Sequence, residues 1–215
     1  MRKDPLVNGQ VYHIMNKSIA GFEIFHRDDY IRILQTLNYY KKNKPPCMLS
    51  TFNKLSTKEQ LLIQKKLNET NNIVEIISYC VMPTHLHLVL KQLIDGGISE
   101  YMKRVCDSYS KYFNLKYKRK GPLWEGRFKS VLVDDDKQLL HLTRYVHLNP
   151  ISAGLVDDPM DWMASSYKEY INASRTEICN FNDLINISPN RYRRFVNERI
   201  SYQRVIAHIK HIILE

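Results

Sequence analysis

Cysteine is scarce and scattered in this 215-residue chain, with four residues at positions 47, 80, 106 and 179 and no close pair among them. That spacing offers neither a zinc pattern nor a disulfide framework. Cys80 and Cys106 lie inside apolar patterns, where free cysteine behaves as a small hydrophobe. Long hydrophobic runs are missing too: the longest, such as residues 76–83, are far too short to span a bilayer. The opening Met1-Arg2-Lys3-Asp4-Pro5 lacks the apolar stretch of a signal peptide. No repeat or low-complexity segment is present. These absences argue against a secreted disulfide scaffold, a zinc module, a membrane protein and a repeat array. They make a reducing cytoplasm the expected compartment.

Acidic residues are the next shortage. Against 32 Lys and Arg stand 22 Asp and Glu, a net charge of +10, with a pI near 9.4. That balance favours a polyanionic partner. It selects a class of partner and no chemistry, and a merely soluble basic surface would carry it equally well. An apolar fraction of 44% with 25% charged residues is that of a globular chain, long enough for one domain with a real core.

Val11 to Met15 reads as a short strand after the Asn8-Gly9 turn. Asp28 then opens a helix in which Tyr30, Ile33, Leu34 and Leu37 share one face. Residues 50–72 look inserted: Ser56 to Glu59 is a capping box, followed by a short basic amphipathic helix. Val74 to Met82 and His85 to Lys91 are strands joined by a Pro83-Thr84 turn. Ser99 caps a helix carrying Tyr101, Val105, Tyr109, Tyr112 and Phe113. Phe128 to Val133 is a further strand, and Asp134 to Asp136 begin a helix that their charge suits. The order β-α-β-β-α-β predicts an α+β, ferredoxin-like antiparallel sheet with helices on one face. A domain over residues 1–170, with the insertion at about 50–72, precedes a C-terminal helical extension over 171–215.

Two groups of residues can carry chemistry. His85 and His87 project from the same face of their strand, about 7 Å apart along the backbone, and can converge on one divalent ion. Eight histidines in 215 residues make a chance His-x-His ordinary, so the pair alone establishes no metal site. On the later helix, Leu139, Leu142 and Val146 form a core stripe, while His141, Tyr145 and Asn149 form a polar one at i, i+4, i+8. Such a tyrosine can be a nucleophile, with Asn149 offering a carbonyl oxygen to the metal. The other reading is an amphipathic boundary tyrosine and an Asn149 that ends the helix before Pro150. Between Lys103 and Lys129 there are nine Lys or Arg against only Asp107 and Glu125, interleaved with aromatics. Lys118, Arg119, Lys120, Trp124, Arg127 and Lys129 are the candidates there for phosphate and base contact. The last helix, from about Asn190, offers Arg191 and Arg194 as phosphate contacts, or is a plain solvated lid.

Three motifs occur in order: Tyr79-Cys-Val-Met-Pro-Thr-His-Leu-His-Leu-Val89, Gly121-Pro-Leu-Trp-Glu-Gly-Arg-Phe-Lys129, and Arg144-Tyr-Val-His-Leu-Asn-Pro-Ile-Ser-Ala-Gly-Leu155. With them the chain resembles the REP-associated tyrosine transposases, a single-tyrosine branch of the HUH endonuclease superfamily, over roughly residues 9–170. Tyr12-His13-Ile14 and the stretch from Asp161 to Tyr167 share the likeness. The resemblance implies that His85 and His87 bind Mg²⁺ or Mn²⁺, with Asn149 helping, and that Tyr145 is the nucleophile. It implies a single-stranded DNA nicking and joining enzyme that forms a 5′-phosphotyrosine on hairpin-containing DNA in the bacterial cytosol or nucleoid, as a monomer or homodimer. His141 or a water would accept the phenol proton. Two rivals keep the same residues. A non-catalytic nucleic-acid-binding protein of this fold would bind without an adduct, and a metal-dependent phosphodiesterase using water would tolerate Tyr145→Phe.

Overall fold

The computed structural model describes residues 5–174 and 177–205. In chain order it forms β1 (Val11–Lys17), α1 (Arg27–Tyr40), α2 (Leu49–Phe52), α3 (Thr57–Asn68), β2 (Val74–Met82), β3 (His85–Gln92), α4 (Gly97–Lys116), β4 (Lys129–Leu132), α5 (Asp136–Ser152), α6 (Tyr167–Tyr170) and α7 (Pro189–Asn197). The four strands make one antiparallel sheet in the order β2-β3-β1-β4. With α1 and α4 as crossover helices, this is the expected ferredoxin-like α+β frame. Among the described residues no helix is long and apolar enough to cross a membrane.

The crossover helices cover one face of the sheet, as expected. Tyr12, Ile14, Ile76, Leu86, Leu88 and Leu90 are buried there with Ile33, Leu37, Tyr101, Val105 and Tyr109 of α1 and α4. The opposite face is covered too, and α5 covers it. Ile77, Cys80, Met82 and Val89 pack with Leu139, Val146, Leu148 and Ile151, and Tyr167, Tyr192 and Val196 close that second core. The cause is legible in β2, whose residues from Ile76 onward are buried on both sides. A strand apolar on both faces needs a layer on each, and each fully buried aliphatic side chain there contributes about 1.5–3 kcal/mol.

Side-chain caps open two of the helices as the sequence predicts. The Ser56–Glu59 capping box forms as the sequence predicts, and Asp135 caps α5 by accepting from the Gln138 amide at 2.7 Å. The start of α4 differs from expectation. Its N-cap is Gly96, in the left-handed region at φ 69°, and the helix begins at Gly97 rather than after Ser99. A Cβ on Gly97 would collide with the Ile73 carbonyl oxygen, so two glycines let the chain turn early and pack close. The end of α5 differs as well: it runs through Pro150 to Ser152. Proline removes the N–H that would bond the Val146 carbonyl, and the Asn149 side-chain amide reaches that oxygen at 3.5 Å instead.

The C-terminal extension is part of the second core. Tyr192 and Val196 of α7 are fully buried, and the Tyr192 hydroxyl meets His147 Nδ1 at 2.6 Å. The outer edge of β2 is closed by the segments around Ala164 and Ile178, through bonds such as Val81 N–H to the Ala164 carbonyl at 2.8 Å. Residues 1–4 of the first expected domain, and 175–176 and 206–215 of the extension, lie outside the described residues.

Candidate active site between β3 and α5

The Pro83-Thr84 hairpin places His85 as the first residue of β3, paired with Met82 across the turn. The turn is pinned from outside, since the Ser18 amide donates to the Thr84 carbonyl and the Ile24 amide to the Pro83 carbonyl, each at 2.8 Å. From His85 the period of two carries His87 to the same sheet face, and the two rings meet at right angles with centres 5.0 Å apart. That is the face α5 covers. Tyr145 therefore sits over them, its ring edge-on to His87 at 5.8 Å between centres. It remains 48% exposed, whereas its helix neighbours Val146 and His147 are fully buried.

A third histidine completes the arrangement. On β1, Val11, His13, Met15 and Lys17 share the histidine face, and the register sets Met15 opposite His87 and His13 opposite Val89. His13 is thus the diagonal neighbour of His87. Its Nε2 lies 3.0 Å from His87 Nδ1, and its ring is edge-on to Tyr145, centres 6.1 Å apart. Lys17 faces His85 directly. Sequence reading assigned no role to His13 or Lys17. The signal available was the alternation in β1, which shows a shared face but not which strand pairs beside it.

Burial decides the electrostatics. His87 is only 2% exposed, and its pKa is pushed down to about 3, mainly by desolvation and then by His13, His85 and Lys17. His13 and His85 are also shifted down, chiefly by desolvation. All three imidazoles are neutral at pH 7, the protonation state a metal ligand needs.

The free atoms fit a divalent cation. His85 Nδ1 is held by the Thr84 hydroxyl at 2.9 Å, and His87 Nδ1 by His13, which leaves Nε2 of each for a metal. Asn149, 9% exposed, turns its amide nitrogen to the Tyr145 carbonyl at 2.9 Å. A carbonyl only accepts, so the atom facing it is the nitrogen and Oδ1 is left as a hard ligand. Among the described residues no three His, Cys, Asp or Glu side chains form a metal-binding group. Two imidazoles and one amide oxygen would hold the ion, and water or phosphate would fill the other positions.

The remaining candidates are dispersed. His141 turns towards α7: its Nδ1 accepts from Arg144 at 2.8 Å and its ring meets Phe195. Desolvation and the cations Arg144, Lys137 and Arg199 lower its pKa. Arg119 knits its own loop, donating to the Pro122 carbonyl at 2.7 Å, while Lys118 and Lys120 are exposed. The Trp124 indole N–H is taken by Ser110 at 3.0 Å and its ring packs near Phe25 and Tyr109. One edge of Trp124 lines a groove of about 920 Å³ between α4 and the β1–β4 edge, with Lys103, Arg127 and Lys129. A smaller groove shares Arg127 and Lys129 and extends to Met15 and Lys17, so basic side chains continue round the sheet edge to the histidine face. Arg191 and Arg194 are exposed on α7, whose Tyr192 and Val196 turn inward.

Residues 49–149 match the family described as "Transposase IS200 like", a span that includes His85, His87, Tyr145 and Asn149. A Haemophilus influenzae protein described as a REP-associated tyrosine transposase is 26% identical over 111 residues, covering 46% of this chain and 62% of that relative. The match therefore spans less than two thirds of the relative's length. A solved REP-associated tyrosine transposase bound to a REP hairpin superposes with a TM-score of 0.57 at 16% identity, covering 87% of this chain and 98% of that one. At that identity the likeness is one of fold. Motif order, family match and fold agree: over residues 49–149 the chain is similar to the IS200-like transposases, and it resembles the REP-associated tyrosine transposases.

Proposed function

We propose that this protein is a metal-dependent single-stranded DNA nicking and joining enzyme, a transposase that uses Tyr145 as nucleophile on hairpin-containing DNA. The observation that carries the reading is Tyr145 itself. A large aromatic left half-exposed on a packed helix, edge-on to the buried His87 and the half-buried His13, serves no core. A divalent ion on His85, His87 and Asn149 would supply Lewis-acid polarisation of the scissile phosphate.

The protein residues account for the rest. A phenol is a weak nucleophile until its proton is removed; a water is the acceptor this geometry favours, since His141 turns towards α7 and its Nδ1 is taken by Arg144. The Tyr145 oxygen forms a bond to phosphorus while the bond to the 3′ oxygen breaks. That oxygen takes a proton and leaves as a free 3′-OH, with the 5′ end held as a phosphotyrosine. The ester is conserved, so another strand's 3′-OH can reverse the step without a nucleotide cofactor. Lys17, Arg127 and Lys129 line a basic path towards the histidines and suit a phosphate backbone. The hairpin bound by the solved structural neighbour supports hairpin DNA as the substrate class.

The test is incubation of hairpin-tailed, labelled single-stranded DNA with Mn²⁺ and protein, read on a denaturing gel beside Tyr145→Phe. A metal-dependent adduct absent from the variant is expected. Cleavage that survives in Tyr145→Phe would replace the tyrosine with water as nucleophile. Tight binding without any cleavage would leave a nucleic-acid-binding protein of this fold.

A further inference from the structure

An imidazole can hold a metal only through a nitrogen that carries no proton. A histidine with two free edges meets that condition by chance of tautomer, and His87 does not have two free edges. Its Nδ1 lies 3.0 Å from His13 Nε2, with the ring planes 14° apart and the centres 5.2 Å apart. Those values describe two nearly coplanar rings joined edge to edge, as an N–H···N bond requires; face-stacked rings would be closer. One proton serves both nitrogens. On His87 Nδ1 it leaves His87 Nε2 bare for a cation. On His13 Nε2 it leaves His87 with its proton on Nε2 and unable to ligate.

From this geometry we infer that His13 is the positioning residue that accepts the Nδ1 proton of His87 and thereby fixes its metal-competent tautomer and ring angle. The inference rests on the reading of His85 and His87 as metal ligands. Ligating histidines commonly donate their second N–H to a carboxylate, carbonyl or water, and here a neighbouring imidazole takes that part. His85 has its own counterpart in the Thr84 hydroxyl, so each histidine is oriented from behind. When its Nε2 accepts, the His13 proton sits on Nδ1, and His13 is only half-buried. It also lies on β1, outside the residues matched by the family.

Two measurements test this. Long-range ¹H–¹⁵N spectra of metal-free, ¹⁵N-labelled protein read the tautomer of His87 directly. The wild type should carry the proton on Nδ1, and His13→Phe should move His87 towards the Nε2–H form. Mn²⁺ titration by electron paramagnetic resonance, on variants whose amide spectra show a folded chain, should show a loss of about 10–100-fold in His13→Phe. His13→Gln, whose side-chain oxygen can accept the same proton, should recover most of that loss, which a purely structural role would not predict. An Nε2–H tautomer for His87 in the wild type, or wild-type Mn²⁺ affinity in His13→Phe beside a loss in His87→Ala, overturns the part assigned to His13. Undiminished affinity in His87→Ala instead overturns the metal reading beneath it.

Discussion

His87 and His147 have almost the same burial and opposite hydrogen-bonding surroundings. Each is shielded from water, and each has its pKa pushed down to about 3, chiefly by desolvation. Their ring nitrogens separate them. Nε2 of His147 is shared by the hydroxyls of Ser166 at 2.7 Å and Ser78 at 3.1 Å. Its Nδ1 meets the Tyr192 hydroxyl at 2.6 Å, and that hydroxyl donates on to Thr143 at 3.0 Å. His147 is saturated and ties β2, the Ser166 segment and α7 to α5. His87 is bonded on one edge only, by His13, with Tyr145 beside it. A buried histidine with a lowered pKa is thus not in itself a candidate for function; the unspent nitrogen is what makes His87 one.

The largest contrast should come from the tyrosine attached to each histidine. Tyr145→Phe is expected to abolish the covalent DNA adduct while leaving urea stability within about 0.5 kcal/mol, because the hydroxyl is exposed and bonds nothing in the core. Tyr192→Phe should do the reverse, retaining adduct formation and costing about 1–3 kcal/mol by stranding His147 Nδ1 in the interior. Gel assays and urea unfolding on the same two proteins measure both, and an adduct-deficient Tyr192→Phe of native stability would break the comparison. The histidines themselves carry the same contrast. His147→Ala should cost about 3–5 kcal/mol, from a cavity and unpaired hydroxyls, with Mn²⁺ affinity of the folded protein unchanged. His87→Ala should lose Mn²⁺ affinity by more than about 10-fold at a smaller cost in stability. Equal Mn²⁺ losses in both would mean that the core network, not the spare nitrogen, makes the site.

The two histidines also mark where a linear reading stops. That His85 and His87 share a face, and that Tyr145 stands on a polar stripe, follow from periods of two and 3.6 within single elements. His13 obeys the same alternation in β1, but its bond to His87 spans 74 positions and depends on register between β1 and β3. The sequence around His147 likewise gives no sign of Ser78, Ser166 and Tyr192, which arrive from three other segments. The early start of α4 is of the same kind, since only the approach of the Ile73 carbonyl makes Gly97 obligatory. The expectation of helices on one face missed α5, whose Leu139, Val146, Leu148 and Ile151 cover the opposite face against Ile77, Cys80, Met82 and Val89. Faces within single elements were legible, and long-range pairing was not.

Acidification separates the two histidines with the smallest and most graded effect. His147 is held neutral in the fold, its pKa lowered from 6.5 to about 3 by burial. Between those values the unfolded chain binds a proton that the folded protein refuses, so stability rises with pH across that window. The contribution is complete above the unfolded value and is lost as pH falls from about 6.5 towards about 3, with a limiting slope of about 1.4 kcal/mol per pH unit. His147→Gln cannot titrate, so urea unfolding from pH 7.5 to pH 4.5 should show a shallower slope in that variant. His87 contributes in the same direction in metal-free protein, being lowered from the same 6.5. Mn²⁺ then distinguishes them: it should stabilise the protein at pH 7.5 and lose that effect on acidification, as protons compete for the ligand. That increment should persist in His147→Gln and vanish in His87→Ala. If it instead vanished in His147→Gln, metal binding would run through the core network and the two histidines would not be separable.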